Sequence, residues 1–494
     1  MKDPSRIYRW LLLVASLVTI AYLIGAAVHE NYLAQWKVVQ REYRDILRQK
    51  ATDDRGRELL AKFRIEMKQV SFPALGTVDR CVTCHNGVDD PRMTDVEQPH
   101  RTHPGHLLDK HPVDRFGCTV CHHGQGAALT FREAKADDVY WDYPLLPPEM
   151  TEATCVTCHD AEKLPSDEIP LLTAGMKLYQ QKSCGSCHKL GGRGGVLGPA
   201  LDNEGAKTKH QLIMTNLKPP HTTWSWQLAH FRDPGGVVPD SQMRNPTVTR
   251  QEALALTVYM LSQWKRDVPE SYLASDKIEQ KYRALHPTPL NGGQVYQQYC
   301  TACHGNGTYT RWDKKFTRFI PAIRGISLIS TTSPEYLQAQ IEQGRPGTQM
   351  PAWGAHAGGL LPEEITGVIQ YLRSSAATAP AMPALTLRGD ASNGLSLFLR
   401  NCAGCHGMDG RGGIAPEIGN PVFQRAASDE FIVRTIRNGR IGTAMPAFQR
   451  PDSPALRDQD IADVLAFLRT LGERRVQKAV AQNRIPSPAS GGKQ

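Results

Sequence analysis

The pattern of apolar and polar positions divides the chain into one long hydrophobic run, two amphipathic segments and a series of helices. The run extends from Trp10 to Val28. These 19 residues, at about 1.5 Å of rise each, match a hydrocarbon core of ~30 Å. We therefore expect an uncleaved transmembrane anchor at residues 1–30. A cleaved signal peptide, with Gly25-Ala26-Ala27 as its cleavage site, is the alternative.

Residues 31–70 carry apolar side chains at helical spacing. Two stripes repeat steps of three and four residues: Trp36, Val39, Tyr43 and Ile46, then Leu59 or Leu60, Phe63, Met67 and Val70. This period predicts two amphipathic helices. They either pack on each other as a hairpin or form a stalk whose apolar stripe contacts the helices of a partner.

The second half of the chain contains an internal repeat of three units, which we place at residues 171–268, 287–375 and 389–472. Each unit opens with an apolar helix and closes with another, at 253–262, 363–373 and 460–471. Between the two helices lies a loop methionine, which is Met243, Met350 or Met445. The intervening Ala/Pro-rich stretch 374–388 predicts a semi-rigid spacer, and residues 473–494 form a polar tail.

Composition adds the decisive observation. All 12 cysteines occur in six Cys-x-x-Cys-His pentapeptides: Cys81/Cys84/His85, Cys118/Cys121/His122, Cys155/Cys158/His159, Cys184/Cys187/His188, Cys300/Cys303/His304 and Cys402/Cys405/His406. This spacing is the attachment signature of c-type haem, in which two thiols bind the porphyrin and the imidazole binds its iron. The sequence therefore predicts six covalently bound haem c groups.

Three other uses of cysteine fit this pattern less well. A disulfide framework has no need of a histidine after every second cysteine. Structural zinc requires two ligand pairs that converge on one ion, and a histidine beside the second cysteine is poorly placed for that. A thioredoxin-like site requires a surrounding βαβ pattern, which the sequence lacks.

Residues 71–170 hold three of the six motifs in a stretch too short for much regular structure, so we expect a trihaem module whose core is formed by the haems. Spare histidines are concentrated here, and no Met-Pro loop is present. We expect the second axial ligands to be imidazoles, first His103 and His111, with His100 or His106 for the third haem. His123 follows His122 directly and would have to reach a neighbouring haem.

The three C-terminal units resemble class I c-type cytochromes, in which the first and last helices cross and a loop methionine binds iron opposite the motif histidine. The resemblance implies three axial pairs: His188 with Met243, His304 with Met350, and His406 with Met445. Met243 departs from the family pattern, because Arg244 rather than proline follows it. Pro199 resembles the proline that packs beside the proximal histidine in such domains.

The N-terminal half resembles membrane-anchored multihaem cytochromes associated with bacterial bc-type quinol-oxidising complexes, over about residues 30–170. The resemblance rests on the segments around His85, on Arg-Thr-His-Pro-Gly-His and on the segment before His122. It implies a subunit that accepts electrons from quinol through a partner. The match to tetrahaem quinol dehydrogenases of nitrate and nitrite respiration is weaker, because this module has three motifs.

The expected axial ligands indicate a direction of electron flow, because a haem with methionine opposite histidine has a higher reduction potential. We expect a mainly α, membrane-anchored hexahaem electron carrier that passes electrons from the quinol-oxidising complex through bis-His haems to His/Met haems and a periplasmic acceptor. We expect no catalytic residue. The alternatives are an enzyme with one open haem that reduces a small substrate, and a donor subunit of a terminal oxidase.

Charge and topology complete the expectation. The formal net charge of +9 does not indicate nucleic-acid binding, since twelve haem propionates would change it to about −3. Lys2, Arg6 and Arg9 precede the apolar run, which places the N-terminus in the cytoplasm. We therefore expect a single-pass protein of the bacterial inner membrane with its haem domains on the periplasmic side.

Overall fold

The computed structural model describes residues 4–137, 140–376, 385–449 and 455–482. Within these ranges the chain is mainly helical, and its strands form three small antiparallel pairs. The mainly α fold expected from the sequence is confirmed. Part of the predicted spacer and most of the predicted tail lie outside the described residues.

The N-terminal region begins with α1 (Pro4–Val28), a π-helical turn (His29–Leu33), α2 (Gln35–Lys50) and α3 (Asp54–Lys62). Among the described residues, one helical segment is long and apolar enough to cross a membrane, judged by length and composition. Its apolar window makes no buried contact within the chain. The hydrophobic side chains of α1 are therefore free to contact lipid.

The apolar stripe of α2 packs within the chain, as a self-packing arrangement requires. Trp36, Val39, Tyr43 and Leu47 are buried, and Leu47 contacts Met93 of the next region. The second predicted helix ends earlier than expected, at Lys62. Residues 64–69 are not helical, because the Gln40 side chain hydrogen-bonds both backbone groups of Glu66, and Val70 enters a strand.

Residues 70–169 contain short elements separated by turns. These are β1 (Val70–Phe72), β2 (Thr77–Asp79), α4 (Leu107–Lys110), α5 (Val113–Phe116), α6 (Thr119–His122), α7 (Phe131–Lys135) and α8 (Glu152–Cys155). Buried Asp79 accepts hydrogen bonds from the backbone N–H groups of Cys81, Cys118 and Thr119. Burial alone would raise the pKa of Asp79, but these donors outweigh it and lower that pKa. One carboxylate thus joins the first two motifs.

The remaining helices and strands form three units and a connecting segment. The first unit comprises α9 (Pro170–Gln181), β3 (Lys189–Leu190), β4 (Arg193–Gly194), α10 (Thr223–Arg232), α11 (Pro234–Val237) and α12 (Arg250–Leu261), and α13 (Ser275–Leu285) follows it. The second comprises α14 (Gly292–Tyr299), α15 (Thr301–His304), β5 (Arg311–Asp313), β6 (Arg318–Ile320), α16 (Ile326–Ile329), α17 (Pro334–Glu342) and α18 (Pro362–Arg373). The third comprises α19 (Ala391–Asn401), α20 (Ala403–His406), α21 (Pro421–Ala426), α22 (Asp429–Asn438) and α23 (Asp458–Ala481).

In each unit the first and last helices cross at a glycine. A Cβ atom at Gly175 would lie 2.1 Å from the carbonyl oxygen of Ala255, one at Gly292 2.0 Å from that of Gly367, and one at Gly394 1.9 Å from that of Asp463. No larger residue fits such a contact without a shift of backbone. The three crossings are therefore built in the same way.

The last helix extends beyond the predicted end at Leu471, through the first residues of the predicted tail, to Ala481. Arg475 ties this extension to the third unit, because its guanidinium contacts the carboxylates of Glu417 at 3.0 Å and Asp409 at 3.1 Å. The segment after residue 472 thus begins as an anchored helix.

The three C-terminal units pack against one another. Arg193 of the first unit pairs with buried Glu364 of the second at 2.5 Å. The second and third units share one hydrophobic core, in which the rings of Tyr336 and Phe431 lie 5.1 Å apart. The described parts of the three units therefore form a continuous row.

Candidate functional site

All six Cys-x-x-Cys-His motifs adopt one local structure. In each, the histidine backbone N–H donates to the carbonyl of the first cysteine at 2.9–3.0 Å, which closes a single helical turn. None of the twelve thiols forms a disulfide. Each turn therefore presents two thiols and an imidazole together, which is the donor set that covalent haem requires.

In the three C-terminal units the motif histidine has the same partner. The Nδ1 atoms of His188, His304 and His406 lie 2.9, 3.1 and 2.9 Å from the carbonyl oxygens of Pro199, Pro321 and Pro416. A carbonyl can only accept, so Nδ1 carries the proton and Nε2 is left free to bind a metal. Burial lowers the pKa of each of these histidines, which keeps the imidazoles neutral.

The second and third units enclose a common cavity of about 410 Å³. Its lining includes both members of two predicted axial pairs, which are His304 with Met350 and His406 with Met445. Most of the remaining lining is apolar, as in pockets that hold porphyrin-sized ligands. The motif cysteines of both units also line the cavity, so haems attached at Cys300/Cys303 and at Cys402/Cys405 would both border it.

The methionine loops are held alike in all three units. The backbone N–H groups of Met350 and Met445 donate to the hydroxyls of Thr348 and Thr443 at 3.2 and 3.1 Å. Met243 donates in the same way to Ser241 at 3.2 Å. This shared turn places the three methionines at equivalent positions in the repeat.

The missing proline after Met243 has a structural explanation. Arg244 crosses to the second unit, where its guanidinium pairs with buried Asp313 and donates to the carbonyl of Ala302 at 2.5 Å. Ala302 belongs to the next Cys-x-x-Cys-His turn. The departure from the family pattern thus creates a contact between the methionine loop of the first unit and the Cys-x-x-Cys-His motif of the second.

Two of the predicted distal histidines lie opposite motif histidines. The ring centroids of His103 and His122 are 6.3 Å apart, and those of His111 and His159 are 6.0 Å apart. Each of these pairs would offer two imidazole nitrogens to a haem iron. The Nδ1 atoms of His103 and His111 face backbone carbonyls at 2.9 and 3.2 Å, which leaves both Nε2 atoms free.

The candidates for the third distal position differ. His100 is buried near the first motif, where it helps burial to lower the pKa of His85. The side chain of His106 is 95% exposed and pairs with Asp109, so the structure does not bring it to any motif. His100 is therefore the candidate that the structure keeps beside His85.

Three buried groups near the motifs were not singled out from the sequence. His230 stacks on Trp226 at 4.5 Å, and burial together with His188 lowers its pKa to about 4. Arg345 and Arg440 line the shared cavity, and burial lowers both pKa values. No sequence pattern indicated them, because the surroundings of His230 depend on tertiary packing within the first unit and those of the two arginines on the packing of two units.

The surroundings of Arg345 and Arg440 show whether the cavity suits a haem, which carries two negatively charged propionates. Nε of Arg345 is buried without a hydrogen-bond partner, and its Nη2 atom donates to the backbone carbonyl of Glu417 at 2.7 Å. A buried guanidinium without a counter-charge is costly. Haem propionates, which are carboxylates, would supply that charge.

The contacts of His123 do not support a role as an iron ligand. Its Nε2 atom lies 2.9 Å from the Arg266 guanidinium, and its ring packs 5.5 Å from Trp264. Burial, followed by the charge of Arg266, lowers its pKa to about 3. His123 therefore contacts the segment after α12, and no contact places it opposite a motif histidine.

The motif turns adjoin one another along the chain. Cys81 and Cys118 are close enough to hydrogen-bond, and the Thr154 hydroxyl donates to the carbonyl of Cys121 at 3.2 Å. Cys155 packs in the same core as α9, and Ser183 donates to Gln297 of the second unit at 2.5 Å. With the shared cavity, these contacts arrange six sites in an unbroken series.

Comparison with known proteins adds two family matches. The family described as "Cytochrome C oxidase, cbb3-type, subunit III" matches residues 287–372 and 389–468, and the family described as "Cytochrome c" matches residues 172–264. The matched regions are the three repeated units.

Three individual proteins have sequences similar to parts of this chain. A cbb3-type cytochrome c oxidase subunit FixP from Bradyrhizobium sp. (strain ORS 278) is 31% identical over 35% of this chain and 58% of its own length. A CcoP subunit from Azospirillum sp. (strain B510) is 28% identical over 40% of this chain and 67% of its own. A cytochrome c-553-like protein from Synechocystis sp. is 38% identical over 18% of this chain and 74% of its own. The chain thus spans about 60% of the length of most of the oxidase subunits it matches.

One solved structure, the Kuenenia stuttgartiensis reducing HAO-like protein complex Kustc0457/Kustc0458, matches at 20% identity. The match covers 36% of this chain and 94% of that chain, with a TM-score of 0.26. A score this low does not indicate a common architecture.

Proposed function

Because the chain belongs to the c-type cytochromes, we propose that it is a membrane-anchored electron-transfer protein with six covalently bound haem c groups. The observation that carries this proposal is the uniform turn formed by all six Cys-x-x-Cys-His motifs. The class of multihaem c-type electron carrier is supported by the matched families. The number of haems, the electron source and the acceptor are our proposals.

Haem c, when bound, supplies a one-electron iron couple, and the chain determines its potential through the axial ligands. We assign imidazole pairs to the N-terminal module: His85 with His100, His122 with His103, and His159 with His111. We assign histidine and methionine to the repeated units: His188 with Met243, His304 with Met350, and His406 with Met445. The twelve motif cysteines hold the porphyrins.

The order of ligands along the chain supports a direction of flow. A second imidazole favours ferric iron, whereas a thioether favours ferrous iron and raises the potential. The imidazole pairs follow the apolar helix α1, and the methionine ligands occupy the units farther along the chain. Electrons therefore enter near the membrane and leave from the C-terminal units.

The exposed apolar surface of α1 and the positive residues before its apolar run support anchoring in the inner membrane with the haem domains outside the cytoplasm. The partner that we propose is a membrane-embedded quinol-oxidising complex of bc type. It would supply electrons to the N-terminal module, and a periplasmic protein or terminal reductase would accept them from the third unit.

A second candidate is suggested by the comparisons. The matched relatives carry the description of cbb3-type cytochrome c oxidase subunits, so an oxidase complex is an alternative partner. Purification of the native complex in mild detergent distinguishes the two. Recovery with quinol-oxidising subunits supports the first proposal, and recovery with oxidase subunits supports the second.

The central experiment counts haems and resolves their potentials. We expect the mass of the purified protein to exceed that of the bare chain by six haems, and a redox titration followed by absorbance and EPR to give a low-potential and a high-potential group of three. Colourless protein, or six haems that titrate together at low potential, would contradict the proposal. Carbon monoxide binding to the reduced protein would favour the enzymatic alternative.

A further inference from the structure

The motif histidines differ in what faces their second ring nitrogen. In the three repeated units Nδ1 faces a neutral proline carbonyl. In the third motif, Nδ1 of His159 lies 3.5 Å from a carboxylate oxygen of Asp276. The two side chains are 28% and 21% exposed, so water screens this contact only in part.

Asp276 is held in place by several contacts with the motif turn. It lies in the first turn of α13, and its Oδ2 atom also accepts the backbone N–H of Asp160 at 3.1 Å. The backbone N–H of Ala274 donates to the carbonyl of Cys158 at 3.0 Å. The start of α13 is therefore attached directly to the turn that carries His159.

A buried carboxylate secures the rest of the helix. Asp160 is fully buried, accepts a hydrogen bond from Gln280 at 2.9 Å and pairs with Arg283. Gln280 and Arg283 are one and two turns after Asp276 on α13. Helix α13, which lies between the first and second units, thus docks on the predicted trihaem module.

We propose that Asp276 is a positioning residue that acts through His159 and lowers the reduction potential of the haem bound there. The inference rests on the proposed haem attachment at Cys155 and Cys158. A carboxylate that faces the Nδ1–H group of a metal-bound imidazole fixes its tautomer and increases its basicity. A more basic imidazole stabilises ferric iron, whereas the proline carbonyls of the other units carry no charge.

This contact distinguishes the haem that adjoins the repeated units. Cys155 shares a hydrophobic core with α9 and α12 of the first unit. A lower potential at His159 makes electron transfer onward to the His/Met site of that unit more favourable. The docking of α13 is therefore part of the redox function as well as of the fold.

The test is the Asp276→Asn variant of the full-length holoprotein. Asparagine keeps an oxygen that accepts the Asp160 N–H, but it removes the negative charge beside His159. We expect one low-potential haem to shift upwards by at least a tenfold change in its reduction equilibrium, which is about 59 mV for one electron. The other five potentials and the haem count should stay unchanged.

Two further variants separate this effect from a general change in charge or folding. Glu279→Gln removes the same charge one turn along α13, where the side chain is 68% exposed, and should leave all six potentials in place. Asp276→Glu keeps a carboxylate and should restore most of the wild-type potential.

The outcomes separate the inference from the proposed function. Six haems with no selective shift in Asp276→Asn would overturn the role of Asp276 alone, as would an equal shift in Glu279→Gln. If Asp276→Asn loses a haem, Asp276→Glu decides the question. Six haems in Asp276→Glu with an altered potential at one of them would show that the carboxylate charge does not set that potential, and that Asp276 has only a structural role. A wild-type protein without haem at Cys155 and Cys158 would overturn the proposed function itself.

Discussion

At the scale of single residues, hydrogen bonds with neighbouring groups decide which atom of a side chain remains free to bind a ligand. The proline carbonyls that face Nδ1 of His188, His304 and His406 decide which ring nitrogen is available to iron. The loop hydroxyls of Ser241, Thr348 and Thr443 orient the methionines in the same manner. At this scale the residues that would hold each iron, together with their hydrogen-bond partners, would set its potential.

The Met350→His variant tests the assignment of a loop methionine. Imidazole stabilises ferric iron more than a thioether does, so we expect one high-potential haem to fall by at least about 59 mV, a tenfold change in its equilibrium. A redox titration with EPR detection would measure the change. Met408→His is the matched control, because Met408 is 76% exposed in the third unit and should alter no potential. Unchanged potentials in Met350→His would remove Met350 as a ligand.

Helices set the frame in which these side chains meet. The pairs α9 with α12, α14 with α18, and α19 with α23 each cross where a glycine touches a backbone carbonyl. Close contact of the two backbones brings the end of the first helix, with its motif turn, against the last helix. The repeat is therefore a repeat of packing as well as of sequence.

Adjacent glycines in α14 provide a direct test of this crossing. A Cβ atom at Gly292 would lie 2.0 Å from the Gly367 carbonyl, so Gly292→Ala should destabilise the protein by about 1–3 kcal/mol. At Gly293 the nearest atom would lie 3.4 Å away, and Gly293→Ala should be neutral or slightly stabilising because alanine favours helix. Denaturant unfolding followed by haem absorbance compares the two. Equal stability of both variants would show that the crossing tolerates a side chain.

The whole molecule orders six sites into a series by contacts between units. The sequence predicts a semi-rigid spacer at 374–388, between the second and third units. The structure joins the first and second units through Arg193 and Glu364, and the second and third through a common core. Docked units hold successive sites at fixed separation, which favours transfer along the chain without large motions.

The Arg193→Ala variant tests the joint between the first two units. Glu364 is buried and accepts hydrogen bonds from Arg193 and from the backbone of Leu290 and Leu361. Burial alone would raise the pKa of Glu364, but Arg193 and these N–H groups lower that pKa below its ordinary value. Without Arg193 the buried carboxylate loses its counter-charge, so we expect the free energy of unfolding to fall by about 3–5 kcal/mol.

The same pair predicts a dependence of stability on pH. A carboxyl whose pKa is lowered on folding stabilises the native state above its unfolded value of about 4.3, and that contribution is lost as the pH falls through the folded value. Unfolding free energy measured from pH 7 down to pH 3 should fall through this window in the wild type and more weakly in Arg193→Ala. Arg48→Ala removes an exposed partner of Asp45 and serves as the control. Identical pH profiles would contradict the role of the pair.

Sequence alone determined what depends on neighbours along the chain. The Cys-x-x-Cys-His spacing, the apolar run before Val28 and the helices that flank each loop methionine are local patterns, so each could be predicted. The period of the stripe after Leu59 was misleading, because a side-chain contact from Gln40 overrides helix formation at Glu66.

Only the tertiary structure decided which distant residues meet. The ring of His111 lies 6.0 Å from that of His159, whereas His106, which the sequence left as an alternative to His100 for the third haem, faces solvent. Asp276 and Arg345 reach other motifs from segments far along the chain, where no local pattern marks them. Their roles depend on burial and charge compensation between packed segments, and these arise only when the chain has folded.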